Sequence, residues 1–373
     1  MHILLFFTFD VSLKDWSKSG LLSREILLYQ KLSETKDIQF TFFTFGDSED
    51  LMIKNLPDNI MILPAYTLIS HSSNKILRLL KSLYIPFKLR NTIQEVDIMK
   101  TNQLNGSWIG LICKAIYKKP LITRTGYDMY SFAIKEKKSI MKKTFIYLLT
   151  QLNLNFANLY LVTSSADKNF LSDKFFNKKN IKIRPNWIKI PTSKKIENRH
   201  TERLLAVGRL EYQKNYDYLI NALSDSELTL DIVGEGSLKK ELKEIASSKN
   251  VKINFLGKLN NADLIRLYGE YKFFVSASLY EGNPKAVLEA MSAGCIVLIN
   301  QTPNVEEIIK NGENGIFFDI KKNDFIKIYK KWSNRSLDLE KISNNAIRSV
   351  KDNNSLISIV EEEFSDYKKL YQS

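Results

Sequence analysis

Short apolar runs alternate with longer segments of helical periodicity along the whole chain. In the first half, apolar runs at residues 2–9, 38–45, 61–63, 98–101, 121–124 and 159–163 predict strands. Between them lie segments such as 20–32, whose apolar residues recur at helical spacing. Residues 10–19 are polar and predict a loop. A second alternation begins near Arg203: strands are expected at 203–207, 228–233, 251–256, 271–277 and 295–299, with helices at 216–223, 238–246 and 284–293. Alternating β and α segments of this kind predict an α/β protein with two Rossmann-like, doubly wound domains.

The stretch 276–294 organises this reading. It runs Ser-Ala-Ser-Leu-Tyr-Glu281-Gly282-Asn283-Pro284-Lys285-Ala-Val-Leu-Glu289-Ala-Met-Ser-Ala-Gly294 between two buried strands. Asn283 suits an N-cap, Pro284 the first helical position and Gly294 the residue past the end. A helix N-terminus at the carboxyl end of a strand favours an anion or a ring of hydroxyls. Eight positions at about 100° each return Glu289 to within roughly 80° of the side that Glu281 faces. Two carboxylates thus address one cleft, for proton transfer or for bidentate bonding to vicinal hydroxyls. A dipole-compensating glutamate and a surface glutamate have the same spacing.

At 373 residues the chain suits two domains of common size, and a formal charge of +14 calls for anionic company. Nucleic-acid binding would rest on that charge alone and is not expected. Cys113 and Cys295 lie in apolar surroundings, as in a reducing compartment. Two cysteines and three distant histidines offer no metal-ligand spacing. No apolar run approaches the ~20 residues of a membrane span, and the N-terminal run lacks a signal peptide's basic flank. A cytoplasmic protein is expected.

In the first half, the turn at Gly20 lets backbone approach a ligand, or is a simple turn. Asn102 and Gln103 follow one strand, and Arg124, Tyr127 and Asp128 follow the next. Ligands of doubly wound sheets gather at such carboxyl ends, so these five are ligand-binding candidates; Arg124 and Asp128 equally suit a mutual ion pair. Residues 74–90 and 135–149 are rich in lysine and leucine at helical spacing, predicting amphipathic helices for an anionic membrane surface or for core packing. Residues 1–185 form the expected first domain and 186–202 a proline-bearing linker. The second domain is expected over 203–354, with an acidic-starting helix over about 355–373.

In the second half, Gly208-Arg209 and Lys214 follow one strand, where a diphosphate would meet one fork-shaped and one point-like cation. Gly234 and Gly257 follow the next two strands. These turns and the Glu281/Glu289 helix fall on one sheet edge.

Together they resemble the nucleotide-sugar domain of the retaining glycosyltransferases of family 4, which have the two-domain GT-B fold. The residues that carry the resemblance are Val207-Gly-Arg-Leu with Lys214-Asn215, Ile232-Val-Gly-Glu-Gly-Ser-Leu, Phe255-Leu-Gly and Glu281-Gly-Asn-Pro-x4-Glu289-Ala-Met-Ser-Ala-Gly294. The resemblance implies two domains facing a cleft, a nucleoside-diphosphate sugar as donor, an oligosaccharide or lipid-linked acceptor held by the first domain, and bacterial surface polysaccharide assembly. It implies Arg209 and Lys214 on the diphosphate, Glu289 on the ribose and Glu281 on the sugar hydroxyls. Gly208, Gly234, Gly257 and the backbone at Gly282, Asn283, Pro284 and Lys285 would complete the donor pocket, with Gly20 approaching from the first domain. No metal or other cofactor is expected, and the C-terminal helix commonly returns to the first domain.

The chain departs from the family pattern in three places. Asn102 stands where many relatives have histidine, Lys189 where an acid is usual, and residues 300–307 lack the common paired glycines. A nucleotide-sugar epimerase and a catalytically silent sugar-binding scaffold remain the alternatives.

Overall fold

The computed structural model describes residues 1–54, 56–177, 179–191 and 196–372. The chain divides into two compact units, Met1–Arg184 together with the residues from Ile359 onward, and Pro185–Ser358.

The first unit is built on seven strands: β1 (His2–Phe6), β2 (Gln39–Thr44), β3 (Ile60–Pro64), β4 (Ile98–Thr101), β5 (Leu121–Arg124), β6 (Leu159–Val162) and β7 (Ile181–Ile183). They lie in the order β3-β2-β1-β4-β5-β6-β7, all parallel. The central strands β1 and β4 are buried nearly throughout because helices cover both faces, which explains why they read as unbroken apolar runs. The order reverses between β1 and β4. That reversal opens a crevice at the carboxyl ends of the strands.

The second unit repeats the plan with six strands, β8 (His200–Val207), β9 (Thr229–Val233), β10 (Lys252–Gly257), β11 (Tyr271–Ser276), β12 (Ile296–Asn300) and β13 (Ile316–Phe318). The order is β10-β9-β8-β11-β12-β13, again all parallel. Its switch point lies between β8 and β11. Two Rossmann-like sheets are therefore present, as the alternation predicts.

Four local expectations need correction. The polar stretch 10–19 holds a short helix, Leu13–Lys18, whose Ser12 cap and Asp15 side chain satisfy each other's backbone. The 74–90 segment is broken: Lys75–Ser82 ends before Pro86, which is tolerated only in the first turn of the next helix, Ile85–Lys88. Residues 135–149 are likewise two helices, Met129–Lys135 and Ile140–Phe156, parted where Lys137 turns left-handed and Ser139 caps the second. The stretch 186–202 is not a free linker: Trp187 and Ile188 are buried in the second unit, Ile188 is bridged to Ser355, and β8 begins at His200. Residues 192–195 of it lie outside the described residues.

From Ile359 the helix Leu356–Tyr371 packs in the first unit through charge. Lys100, in the middle of β4, is fully buried and donates to Glu363 Oε2 at 2.5 Å and to the Tyr367 hydroxyl at 2.9 Å. Arg184, also fully buried, meets Glu362 and Asp366, while Lys182 reaches Asp366 at 2.5 Å and Lys36 reaches Glu361 at 2.7 Å. The three glutamates at 361–363 thus each answer a cation of the first unit. Burial alone raises the Glu363 carboxyl, but the Lys100 ammonium and its hydrogen bond outweigh it and hold the group at about 2. Burial also lowers the Lys100 amine. The ion pair prevails, because a neutral amine would strand the carboxylate.

Lys100→Met leaves a buried carboxylate without its cation and is expected to cost about 3–5 kcal/mol in urea unfolding followed by tryptophan fluorescence. Adding Glu363→Leu should recover most of that loss; an equal loss in both variants would show that packing rather than charge seats the helix. Glu363 titrates at 4.5 in the unfolded chain and about 2 in the folded one. Its contribution is therefore complete above pH 4.5 and lost as the pH falls toward 2. Glu363→Gln should flatten that acid limb.

Candidate functional site

At the switch point of the second unit, the ends of β8, β9 and β10 are locked by backbone. Gly208 N–H donates to Val233 O at 2.9 Å, and Gly234 N–H donates to Gly257 O at 2.8 Å. Gly234 has φ +149°, and a Cβ there would lie 1.9 Å from the carbonyl oxygen of Gly208. No side chain fits between these strand ends. A Cβ on Gly208 would in turn lie 2.8 Å from Lys214 Cε and 3.1 Å from the Tyr216 hydroxyl. The glycine leaves the room through which Lys214 passes.

Lys214 Nζ donates to Glu281 Oε1 at 2.5 Å. The two loops that carry this pair are stitched together: Leu279 N–H donates to Gln213 O at 2.9 Å, and Gln213 Nε2 to Tyr280 O at 2.8 Å. Asn215 Nδ2 donates to Ala277 O at 3.2 Å, and Gln213 Nε2 lies 3.5 Å from Glu281 Oε2. Glu281 is buried, and burial together with this carboxylate pushes the Tyr216 phenol up. An ammonium has three donors, so Lys214 can hold Glu281 and an anionic oxygen at once. Arg209, one residue beyond Gly208, is exposed, with Glu211 as an acidic neighbour.

The helix over this edge is Lys285–Ser292. Its N-cap is Pro284, whose carbonyl accepts from Val287 and Leu288, and not Asn283 as the sequence pattern predicts. The reason lies far along the chain. Asn283 Oδ1 accepts from Asn186 N–H at 2.9 Å and Asn283 O from Asn186 Nδ2 at 2.6 Å, so the side chain is already engaged. Asn186 O accepts in turn from Asn354 Nδ2 at 2.8 Å. Gly294 does end the helix in the left-handed region. Gly282 is buried, and the Lys285 ammonium lies 5.1 Å from the centre of the Trp187 ring. Glu289 is buried on the same helix and accepts from the Tyr268 hydroxyl at 3.2 Å.

The structure therefore joins Gly208, Lys214 and Glu281 directly, and Gly234 and Gly257 through backbone. Glu289 follows on the helix Lys285–Ser292, with the Tyr268 hydroxyl against its carboxylate. Asn186, Gln213 and Tyr216 were missed, and only the Asn186-Trp187 pair beside a proline gave any local signal.

The first-unit candidates also lie at strand ends. Asn102 N–H donates to Phe6 O at 2.8 Å, and Gln103 Oε1 accepts from Gly126 N–H at 2.8 Å, tying the loops after β4 and β5. Arg124 N–H donates to Thr101 Oγ1 at 3.3 Å, and its charge acts on the buried Tyr29. The carboxyl of Asp128 caps Met129–Lys135 by accepting from Ser131 N–H at 2.5 Å. Burial pushes the Asp128 carboxyl up to about 7, with the Ser131 N–H opposing and Asp167 adding to the shift. Tyr127 is partly exposed and its ring lies 4.5 Å from that of Phe132. Gly20, at φ 71°, closes the helix Leu13–Lys18, where its N–H donates to Ser17 O.

The first unit also holds a cavity of about 380 Å³ lined by Lys14, Lys18, Tyr66 and His71 among others. Its floor is Asp50, buried, which accepts from the Leu13 and Lys14 N–H groups and from the Thr44 hydroxyl. Among the described residues no cluster of three or more potential metal-ligating side chains occurs.

Residues 190–349 match the family model described as glycosyl transferases group 1. An uncharacterized glycosyltransferase of Methanocaldococcus jannaschii is 35% identical over 44% of this chain and 44% of its own length. The N-acetylgalactosamine-N,N'-diacetylbacillosaminyl-diphospho-undecaprenol 4-alpha-N-acetylgalactosaminyltransferase of Campylobacter jejuni is 31% identical over 31% of this chain and 33% of its own. The chain thus spans less than half the length of these curated relatives. Among solved structures, the HepE protein of Anabaena in complex with UDP and glucose has a TM-score of 0.76 at 19% identity, covering 99% of this chain and 100% of the other. The chain has the GT-B fold, and the unit that carries the glycine-lined strand ends matches the group 1 glycosyl transferases.

Proposed function

We propose that the protein is a glycosyltransferase that moves a sugar from a nucleoside-diphosphate sugar to a glycan or lipid-linked acceptor with retention of configuration, in bacterial surface polysaccharide assembly. The observation that carries this reading is the Lys214–Glu281 pair beside the side-chain-free ends of β8 and β9, inside the segment that matches the group 1 family. The same reading is supported by the UDP and glucose in complex with the Anabaena neighbour and by the diphospho-undecaprenol for which the Campylobacter relative is named.

Departure of a nucleoside diphosphate develops negative charge on its outer oxygens. Arg209 and Lys214 stabilise that charge, and Lys214 is pre-positioned by Glu281, so little reorganisation accompanies the reaction. Bare backbone at Gly208, Gly234 and Gly257 lets the pyrophosphate approach the strand ends closely. Glu281 takes the sugar hydroxyls with its remaining acceptor capacity, and Glu289 takes the ribose. With cations supplied by side chains, the transfer proceeds without a metal. Attack comes from the face that the diphosphate leaves, with no protein nucleophile. The acceptor binds the first unit, with Asn102, Gln103, Arg124, Tyr127 and Asp128 as the candidates at its strand ends and the cavity lined by Lys14, Lys18, Tyr66 and His71 as a second polar surface. The enzyme works at the cytoplasmic face of the plasma membrane.

Thermal shift with one nucleotide sugar at a time should reveal a donor that stabilises the fold by mass action. With that donor, Glu289→Ala is expected to weaken binding by about tenfold or more. Arg209→Ala should lower kcat by about a hundredfold with little change in KM. Unchanged kinetics in both variants would refute the assignment. Gly234→Ala forces β8 and β9 apart and should abolish donor binding in isothermal calorimetry; full affinity would show that the close approach of these strands is irrelevant to the ligand.

A further inference from the structure

Two segments of the first unit, residues 76–87 and 140–156, carry apolar side chains on the side that faces water. In Ile140–Phe156, the residues Ile146, Leu149 and Leu154 pack into the core. Met141, Phe145, Leu148, Leu152 and Phe156 form a second stripe at spacings of three and four residues, and all are exposed, Met141 at 82% and Leu148 at 54%. The segment 76–87 repeats this: Ile76 is 70% exposed and Leu80 57%, with Leu83, Tyr84 and Phe87 also in solvent.

These stripes are parts of one surface. Trp108, on the helix Ser107–Tyr117, donates to the Ser82 hydroxyl at 2.9 Å and stacks edgewise on Phe145 at 6.2 Å. Tyr117 at the other end of that helix donates to Pro86 O at 3.0 Å. Between Ser107–Tyr117 and Ile140–Phe156 runs a groove of about 450 Å³, lined by Leu111, Ile112, Ala115, Leu152 and Phe156, with Lys114 and Lys118 beside it. An apolar area this extended is unusual on a surface that faces only water.

Charge identifies what covers it. Residues 74–90 and 107–119 contain lysines and arginines and no acidic residue, and residues 135–156 contain five lysines against Glu136 alone. A symmetric pairing of two copies would press like charges together. A bilayer with anionic headgroups satisfies both features, because apolar side chains enter the acyl boundary while lysines remain among the phosphates. No helix of the described residues is long and apolar enough to cross a membrane, so the surface lies on the bilayer.

We infer that the face formed by residues 76–88, 107–117 and 140–156 is a docking surface for an anionic lipid bilayer, with the groove beside Lys114 and Lys118 receiving an acyl or isoprenoid chain from it. The inference deepens the membrane setting of the proposed function and rests on that reading only for its biological sense.

Co-sedimentation of the full chain with phosphatidylglycerol-containing vesicles tests it, with pure phosphatidylcholine vesicles as control and no sugar donor present. Binding should be at least about tenfold tighter to the anionic vesicles and should weaken with salt. The paired variants Met141→Glu with Leu148→Glu and Ile76→Glu with Leu80→Glu should each weaken it by about tenfold or more, at unchanged melting temperature because all four positions are exposed. Absence of binding, equal binding to phosphatidylcholine, or variants that bind as the parent does would each overturn the inference. So would a dimer in light scattering that the same variants dissociate. Because no donor is present, each of these results leaves the transferase assignment standing, and loss of donor binding in thermal shift leaves the lipid surface standing.

Discussion

The close approach of two strand ends governs what the second unit can hold. Where Gly234 passes the carbonyl of Gly208, even one methyl group is excluded. Two consequences follow from the lack of side chains at Gly234 and Gly208 together. The backbone is bare on the side where a ligand arrives, and the stem of Lys214 can cross Gly208 to reach Glu281. A cation of fixed position is thus produced by the absence of side chains as much as by the presence of one. The stitched loops at Gln213 and Tyr280 keep it there.

Charge is used in the first unit for a different purpose. Lys100 and Arg184 are buried cations whose partners all come from a helix more than a hundred and seventy positions away, with Lys100 to Glu363 spanning 263 residues. Such pairs add little net stability over apolar replacements, but they penalise any wrong seating of the helix severely. One register satisfies Glu361, Glu362, Glu363 and Asp366 together.

The doubly wound plan was legible because central parallel strands are apolar on both faces and helices between them carry a polar face. The strand-end glycines were legible for a related reason: apolar runs locate the strand ends, and Gly208, Gly234 and Gly257 come at or just past them. What escaped was set by distant partners or by brevity. β7 and β13 have three residues each, too few for a pattern. Asn283 is a good cap by type, yet Asn186, 97 residues away, had already claimed its side chain. Asp128 followed a strand like a site residue and proved to be a cap. The helix Ile140–Phe156 showed its periodicity in sequence, but with two apolar stripes, periodicity could not say which one the core would take.

The anchoring of residues 359–372 has a bearing on how the chain is made. Synthesis runs from the N-terminus, so β1 to β7 emerge from the ribosome long before Glu363 and Asp366 exist. During that interval Lys100 and Arg184 lack the carboxylates that face them in the finished fold. The second unit, complete by Ser358, meets no such delay. Of the two units, the one that is begun first is the one whose residues are completed last.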